Sequence, residues 1–285
     1  MRNAVLYFFI ASVLLHTRAI AQAQPKKINQ VVLDAGHGGH DAGARGGSGL
    51  LNEKDIALAV TLKVGRLIND SLKMVKPIFT RTTDVFIPLA DRHKIANQAG
   101  ADLFVAIHVN ASPGSYEKIR TGSRTIGKGR KKKTVPVYKT IHHRETAAYG
   151  TETWVLGLNR TGQKEGAISE YGDKITEEPG ILNENDPETA IIIAQYAQVF
   201  LKKSVDFAQK VQDQFAAQGR RDLGIKQRGL EVLAGSVMPG ALIEIGFINN
   251  VEEELYLNSE KGQNEVAYAI FKAIRNYKRE VEKIN

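Results

Sequence analysis

The sequence predicts an α/β fold: a single domain with a mostly parallel central sheet of about six strands between helix layers. Three observations carry this. Short β-rich apolar runs alternate with longer segments of helical period, the order that builds a parallel sheet. The run Leu103 to Val109 (LFVAIHV) lacks polar alternation, as expected of a central strand covered on both faces. No repeat, heptad array or linker to a second domain interrupts the pattern across 285 residues, a length ample for a buried core.

The elements follow in order. Val31 to Asp34 is a short apolar run that stops at a glycine cluster, so it reads as a buried strand. Residues 53 to 68 read as a helix, with Ile56, Val60, Val64 and Leu67 at helical spacing and Asn52 as its N-cap. Pro77 to Thr80 reads as a strand, and Ile95 to Gly100 as the end of a short helix. Thr151 to Leu156 is a further strand. Residues 190 to 217 hold the longest helical stripe (Ile193, Ala197, Phe200, Ser204, Phe207, Val211, Phe215), with Gly219 as its stop. Leu230 to Leu233 and Ala241 to Ile245 read as two more strands. Residues 263 to 281 form a last helix with Val266, Ile270, Ala273, Tyr277 and Val281 on one face.

The first residues stand apart. Arg2 precedes an apolar run from Ala4 to Leu15, and small residues follow at Ala19, Ala21 and Ala23. This is the layout of a secretory signal peptide over residues 1–23, and the run is shorter than the roughly 20 residues a bilayer span needs. Export to the periplasm or the extracellular wall is therefore expected, leaving residues 24–285 as the mature domain. The chain has no cysteine, which excludes a disulfide scaffold, a thiolate metal site and a Cys nucleophile. Any metal must be held by His, Asp or Glu.

The formal charge is +8, but it is not spread evenly. Residues 117–139 hold nine Lys or Arg and one Glu. This stretch is rich in Gly, Ser and Thr without helical or strand period, and is expected to be a mobile loop. It lacks the interleaved aromatics of a single-strand nucleic-acid site, so no nucleic-acid partner is expected. Outside the cytoplasm, residues 118–139 would meet an anionic envelope polymer or a membrane surface, or remain a solvated loop.

In an open α/β sheet, function collects where strands end at their carboxyl edge. The first strand runs into Asp34-Ala35-Gly36-His37-Gly38-Gly39, the central strand ends at His108-Val109-Asn110, and the late strand contains Glu244. Glu53 opens the helix after the glycine loop. Two His and a Glu that converge make a set known for catalytic zinc, with an open position for water. Glu244 could then take a proton from that water. Each residue alone has a plainer reading. His37 could be a loop residue, His108 a core histidine, and Glu53 a carboxylate favouring the helix dipole. The glycine loop could cradle phosphate, but it has neither G-x-G-x-x-G nor a Lys-Ser/Thr ending. A carboxylate inside ALIEIGF is harder to dismiss, because a buried unpaired Glu is costly.

Four segments, LDAGHGGHDAGARGGSGLLNEKDIAL, RTTDVFIPLADRHKIANQAGADLFVAIHVNAS, GTETWVLGL and VMPGALIEIGFINNVEEELYLNSEKGQNEVAYAI, resemble the zinc-dependent N-acetylmuramoyl-L-alanine amidases of the amidase-3 type. The resemblance covers nearly all of residues 30–277, with the motifs in the family's order. It implies Zn2+ held by His37, Glu53 and His108, with Glu244 as the catalytic glutamate. It implies hydrolysis of the amide between N-acetylmuramic acid and L-alanine in peptidoglycan. Asn110 and Arg92 lie inside family motifs, as residues expected to orient the site or bind substrate.

The chain departs from the pattern twice. Residues 113–148, with the basic stretch, intervene where the family has a short connection. Residues 164–189 are rich in acids, with Ser169-Glu170-Tyr171 where the family often has a Glu-Asn pair. Some relatives carry an inhibitory helix here, so Glu170 and this acidic segment are expected to regulate the site until an activator protein binds. Two other functions stay open: a catalytically silent relative that binds peptidoglycan, and another zinc peptidase cutting within the stem peptide.

Overall fold

A computed structural model of the chain describes residues 27–172, 176, 182 and 187–283. The leader expected at 1–23 and most of the acidic stretch between 173 and 186 lie outside the described residues. The first elements are β1 (Gln30–Ala35), α1 (Glu53–Ser71), β2 (Lys76–Phe79), α2 (Leu89–Ala99) and β3 (Leu103–Asn110). β4 (Ser115–Ile126) and β5 (Lys133–His143) pair only with each other. Then come β6 (Thr151–Leu156), α3 (Thr161–Glu170), α4 (Pro187–Ala216), β7 (Asp222–Arg228) and the single turn α5 (Glu231–Ala234). β8 (Gly240–Phe247), α6 (Val251–Asn258) and α7 (Glu260–Val281) complete the fold.

The main sheet has six strands in the order β2-β1-β3-β8-β6-β7. β2, β1, β3 and β8 run parallel, β6 is antiparallel to β8, and β7 is parallel to β6. Helices cover both faces. On one, Val31, Leu33, Val105, Ile107 and Ile243 pack with Ile56, Val60 and Val64 of α1, the second half of α4 and α7. On the other, Val32, Phe104, Ala106 and Leu242 pack with Ala96 of α2, Ile168 of α3, the first half of α4 and α5. Fully burying each large apolar side chain contributes about 1.5–3 kcal/mol, so the strand positions are strongly specified. On the second face the side chains after Ala106 and Leu242 are His108 and Glu244. They stand in register on neighbouring strands. Glu152 of β6 lies in register on the far side of Glu244.

α3 is fastened by an unusual anchor. Lys164 is buried, and its Nζ donates to the carbonyls of Leu233 at 3.2 Å and Met238 at 3.1 Å, and to Ser236 O. These carbonyls belong to α5 (Leu233) and to the turn that leads from it into β8 (Ser236 and Met238), so one side chain ties α3 to both. Burial pulls the Lys164 ammonium down to about 7.

Two expectations are corrected. Leu230 to Leu233 is not a strand: residues 231–234 form a helical turn, buried at Val232, Leu233 and Ala234. The sixth strand is instead Asp222–Arg228, a half-buried edge strand without an apolar run. The basic stretch is not a loop either. It is a two-stranded antiparallel hairpin, registered from Ser115↔His143 to Ile126↔Lys133 with one bulge between Arg120 and Gly122. Among the described residues, no helix is long and apolar enough to cross a membrane.

Candidate metal centre

The site begins where β1 ends. Two buried arginines grip the chain there. Arg92 of α2 donates to Asp34 Oδ1 at 2.8 Å, to Ala35 O at 2.7 Å, to His37 O at 2.7 Å and to Ile87 O at 2.9 Å. Arg81, just past β2, donates to Ala35 O at 3.0 Å, Gly36 O at 2.8 Å and Lys54 O at 2.7 Å. Fixed this way, His37 adopts the left-handed region at φ 59°, a conformation that is uncommon for a non-glycine residue and persists only where the surroundings impose it. Gly36 is required by close approach: a Cβ there would lie 2.4 Å from the His108 ring.

Three side chains converge on this loop from three elements. Glu53, the first residue of α1, accepts from His108 Nδ1 at 3.0 Å, and its Oε1 lies 3.1 Å from His37 Nε2. Backbone N–H groups of Val109, at 3.0 Å, and Ala44, at 2.7 Å, also donate to the carboxylate. The candidate ligand atoms of His37, Glu53 and His108 all lie within 4.8 Å of one another. His37 Nδ1 is held from behind by Asp41 Oδ2 at 2.8 Å, which orients the ring as an outer carboxylate does for a metal-bound imidazole. Burial alone would pull both imidazoles down and lift Glu53. The ion pairing reverses both effects: His37 rises to about 9, His108 also rises, and Glu53 is held well below the usual carboxylate range. The arrangement therefore stabilises positive charge at its centre. Two imidazoles and one carboxylate are a zinc-type donor set, and atoms that share an ion at about 2.0–2.1 Å stand close to the separations seen here. The group could hold a metal ion.

Beside it lie two further carboxylates. Burial lifts Glu244 to about 7, and its Oε2 is buried without a hydrogen-bond partner in the protein. Glu152 is buried too, but fully engaged. Asn110 Nδ2 donates to it at 2.7 Å, Trp154 Nε1 at 3.0 Å, and Lys226 Nζ from β7 pairs with it. Of the two, Glu244 is the one with an oxygen left without a partner in the protein.

Residues 31–276 match the family described as N-acetylmuramoyl-L-alanine amidase, Amidase_3. The chain belongs to this amidase family. It is similar to an endolysin of Bacillus phage SPP1, 35% identical over 161 residues, covering 54% of this chain and 53% of the endolysin. It is also similar to the N-acetylmuramoyl-L-alanine amidase AmiC of Escherichia coli O6:H1, 29% identical over 248 residues, covering 87% of this chain and 52% of AmiC. The chain thus spans about half the length of these curated relatives. The crystal structure of an N-acetylmuramoyl-L-alanine amidase from Clostridium difficile 630 aligns with a TM-score of 0.59 at 26% identity, covering 88% of this chain and 97% of that one.

In this amidase-family domain, the structure brings His37, Glu53, His108 and Glu244 to one edge of the sheet. Arg92 is a different matter. It is buried and directs its donors to Asp34 and to backbone carbonyls, that of His37 among them. Asn110 is half-buried and engaged with Glu152 on one side and Ala111 N on the other. Glu170 is exposed at the end of α3, bonded to Tyr171 and acting electrostatically on His93, and is not among the converging ligands. The acidic segment that follows it lies largely outside the described residues. Glu152 and Asp41 were missed. The argument that singled out Glu244, a carboxylate within a buried strand, applies equally to Glu152 in TETW. Asp41 gives no signal beyond its place four residues after His37.

Proposed function

We propose that this amidase-family chain is a zinc hydrolase that cleaves the amide between the lactyl group of N-acetylmuramic acid and L-alanine of peptidoglycan stem peptides. The observation that carries the reading is the convergence of His37, Glu53 and His108 next to the half-buried carboxylate of Glu244, whose buried Oε2 is without a partner. Membership of the amidase family supports the bond and the substrate class. Such a substrate lies outside the cytoplasm, in keeping with the leader expected at 1–23.

His37, Glu53 and His108 would hold the ion, with Asp41 fixing the His37 ring and Arg92 and Arg81 fixing its backbone. When bound, zinc supplies Lewis acidity toward the scissile carbonyl and makes a water proton removable near neutral pH. Glu244 takes that proton as the water oxygen adds to the carbonyl carbon. It then delivers the proton to the alanine nitrogen as the C–N bond breaks. The products are a lactyl carboxylate on intact glycan and a stem peptide with a free amino terminus. A carboxyl whose burial sets it near 7 is suited to both halves of this transfer, since it can accept and return a proton at neutral pH. Glu152, paired with Lys226, accepts from Asn110 and Trp154 beside the cleft.

The test is release of stem peptides from purified sacculi by the protein as isolated, after chelation, and after zinc is restored. Release that disappears on chelation and returns with zinc is expected, with new L-alanine amino termini in the products. New termini at other positions would indicate a stem-peptide peptidase instead. Firm binding to sacculi with stoichiometric zinc and no products would indicate a silent wall-binding relative.

A further inference from the structure

The β4–β5 hairpin leaves the domain from the mouth of the site. Its two legs are tied at the base by Asn249, which follows β8. The Asn249 amide accepts from Ser112 N at 3.1 Å and donates to Ser112 O at 2.9 Å and Arg144 O at 2.5 Å. Beyond the base, no residue of either strand is buried. A lone two-stranded hairpin is marginal in water without a face to pack against. At about 3.3 Å per residue it extends on the order of 35 Å.

The register shows what its two faces carry. Cross-strand partners share a face and successive pairs alternate. One face therefore collects Ile119, Ile126, Val135, Val137 and Ile141. Of these, Ile119, Ile126 and Val137 are 40%, 43% and 36% exposed. Arg124, Lys133 and Lys139 stand among them on the same face. The other face mixes polar residues, Lys118, Arg120, Ser123, Thr125, Thr134 and Thr140, with Pro136 and two exposed tyrosines, Tyr116 and Tyr138, amphipathic side chains suited to an interface. The tip carries Lys128, Arg130, Lys131 and Lys132 around a 3₁₀ turn.

We propose that this hairpin docks on a bilayer surface bearing anionic headgroups. The tip cations and the Lys and Arg of the apolar face meet the headgroups, and the Ile/Val stripe lies in the interface. Charge complementarity selects an anionic partner. The stripe selects a membrane among anionic partners, because a soluble polyanion engages the cations and offers nothing to the aliphatic side chains, whereas an interfacial element needs both. The hairpin joins the strand bearing His108 to the strand bearing Glu152. Docking would therefore hold the cleft at a set distance from the bilayer.

The test is flotation of the intact protein with vesicles of phosphatidylcholine alone and of equal parts phosphatidylcholine and phosphatidylglycerol. Two variants are compared, K128Q/R130Q/K131Q/K132Q and I119T/I126T/V137T, each with the N-terminal segment unchanged. Flotation with the anionic vesicles only is expected. The tip variant should weaken it roughly a thousand-fold. The stripe variant should weaken it roughly ten-fold, with the difference kept at high salt where charge is screened. Threonine keeps β propensity, and the hairpin packs against no core, so both variants should retain the parent's circular dichroism and melting. Flotation that ignores the tip variant overturns the proposal. So does binding to soluble polyaspartate as tight as to anionic vesicles with no loss in the stripe variant, which would make the hairpin a polyanion clamp.

Discussion

Asn110 ends β3 inside the candidate site, and Ser115, five residues later, begins a hairpin with no buried residue. The two regions are neighbours along the chain and are held by opposite means. At the sheet edge two of the converging side chains are fixed several times over: His37 by Glu53, Asp41 and the arginine-held backbone, Glu53 by two imidazoles and two N–H groups. In the hairpin, order comes from one ladder and a base tied by Asn249. The contrast separates what the chemistry requires from what attaches the domain to its surroundings. Changes at the edge should propagate, and changes in the hairpin should not.

The largest break of this comparison is Glu53→Ala. It removes one of the three proposed ligands and leaves two imidazoles and the Ala44 and Val109 N–H groups without their acceptor. Metal binding followed by equilibrium dialysis should fall by more than the roughly 10–100-fold typical of losing an outer-shell partner. Asp41→Ala takes away such a partner from His37, and an affinity loss of roughly 10–100-fold is expected in the same measurement. An unchanged affinity would mean that the Asp41 contact does not orient the ring.

Lys164→Met tests the edge from below, through the turn that leads into β8. Its buried carbonyl partners lose their donor, so denaturant unfolding should show a loss of about 1–3 kcal/mol at neutral pH. The pH dependence has a definite sign. The unfolded chain keeps the lysine proton up to 10.5, while the folded protein gives it up near 7. Between those values the unfolded state binds more protons, so the parent gains stability as pH rises. The variant lacks that gain, and the gap between them should widen from pH 7 toward pH 10. The smallest effect belongs to replacing residues 115–143 by a short Gly-Ser link, which should shift unfolding by no more than about 0.5 kcal/mol. A larger loss would show that the hairpin supports the domain after all.

The same contrast explains what could be read from the sequence. Elements that bury a face leave a period in it. Ile56, Val60 and Val64 mark α1, and the unbroken run from Leu103 marks β3. Glu244 stands out because a carboxylate in a buried strand needs a reason. The hairpin buries neither face, so no core imposes alternation on it, and its bulge breaks the phase of the Ile/Val stripe. β7 is an edge strand of mixed polarity, DLGIKQR, and left less trace than the apolar turn Leu230 to Leu233 beside it. Over four residues, an apolar run cannot tell a strand from a buried helical turn. Arg92 is legible as a residue of the site, but the carbonyls it grips are not, because a buried arginine that holds backbone looks in sequence like one that holds a ligand.

The most direct test of the central claim, that three residues hold an ion while a fourth moves the proton, is Glu244→Gln. Zinc content and stem-peptide release from sacculi are measured on the same sample. The account predicts one zinc per chain, as in the parent, with release reduced by roughly 10²–10⁴-fold, the range for loss of a general acid–base group. Release at the parent's rate would contradict it, because Glu244 would then not be the group that carries the proton.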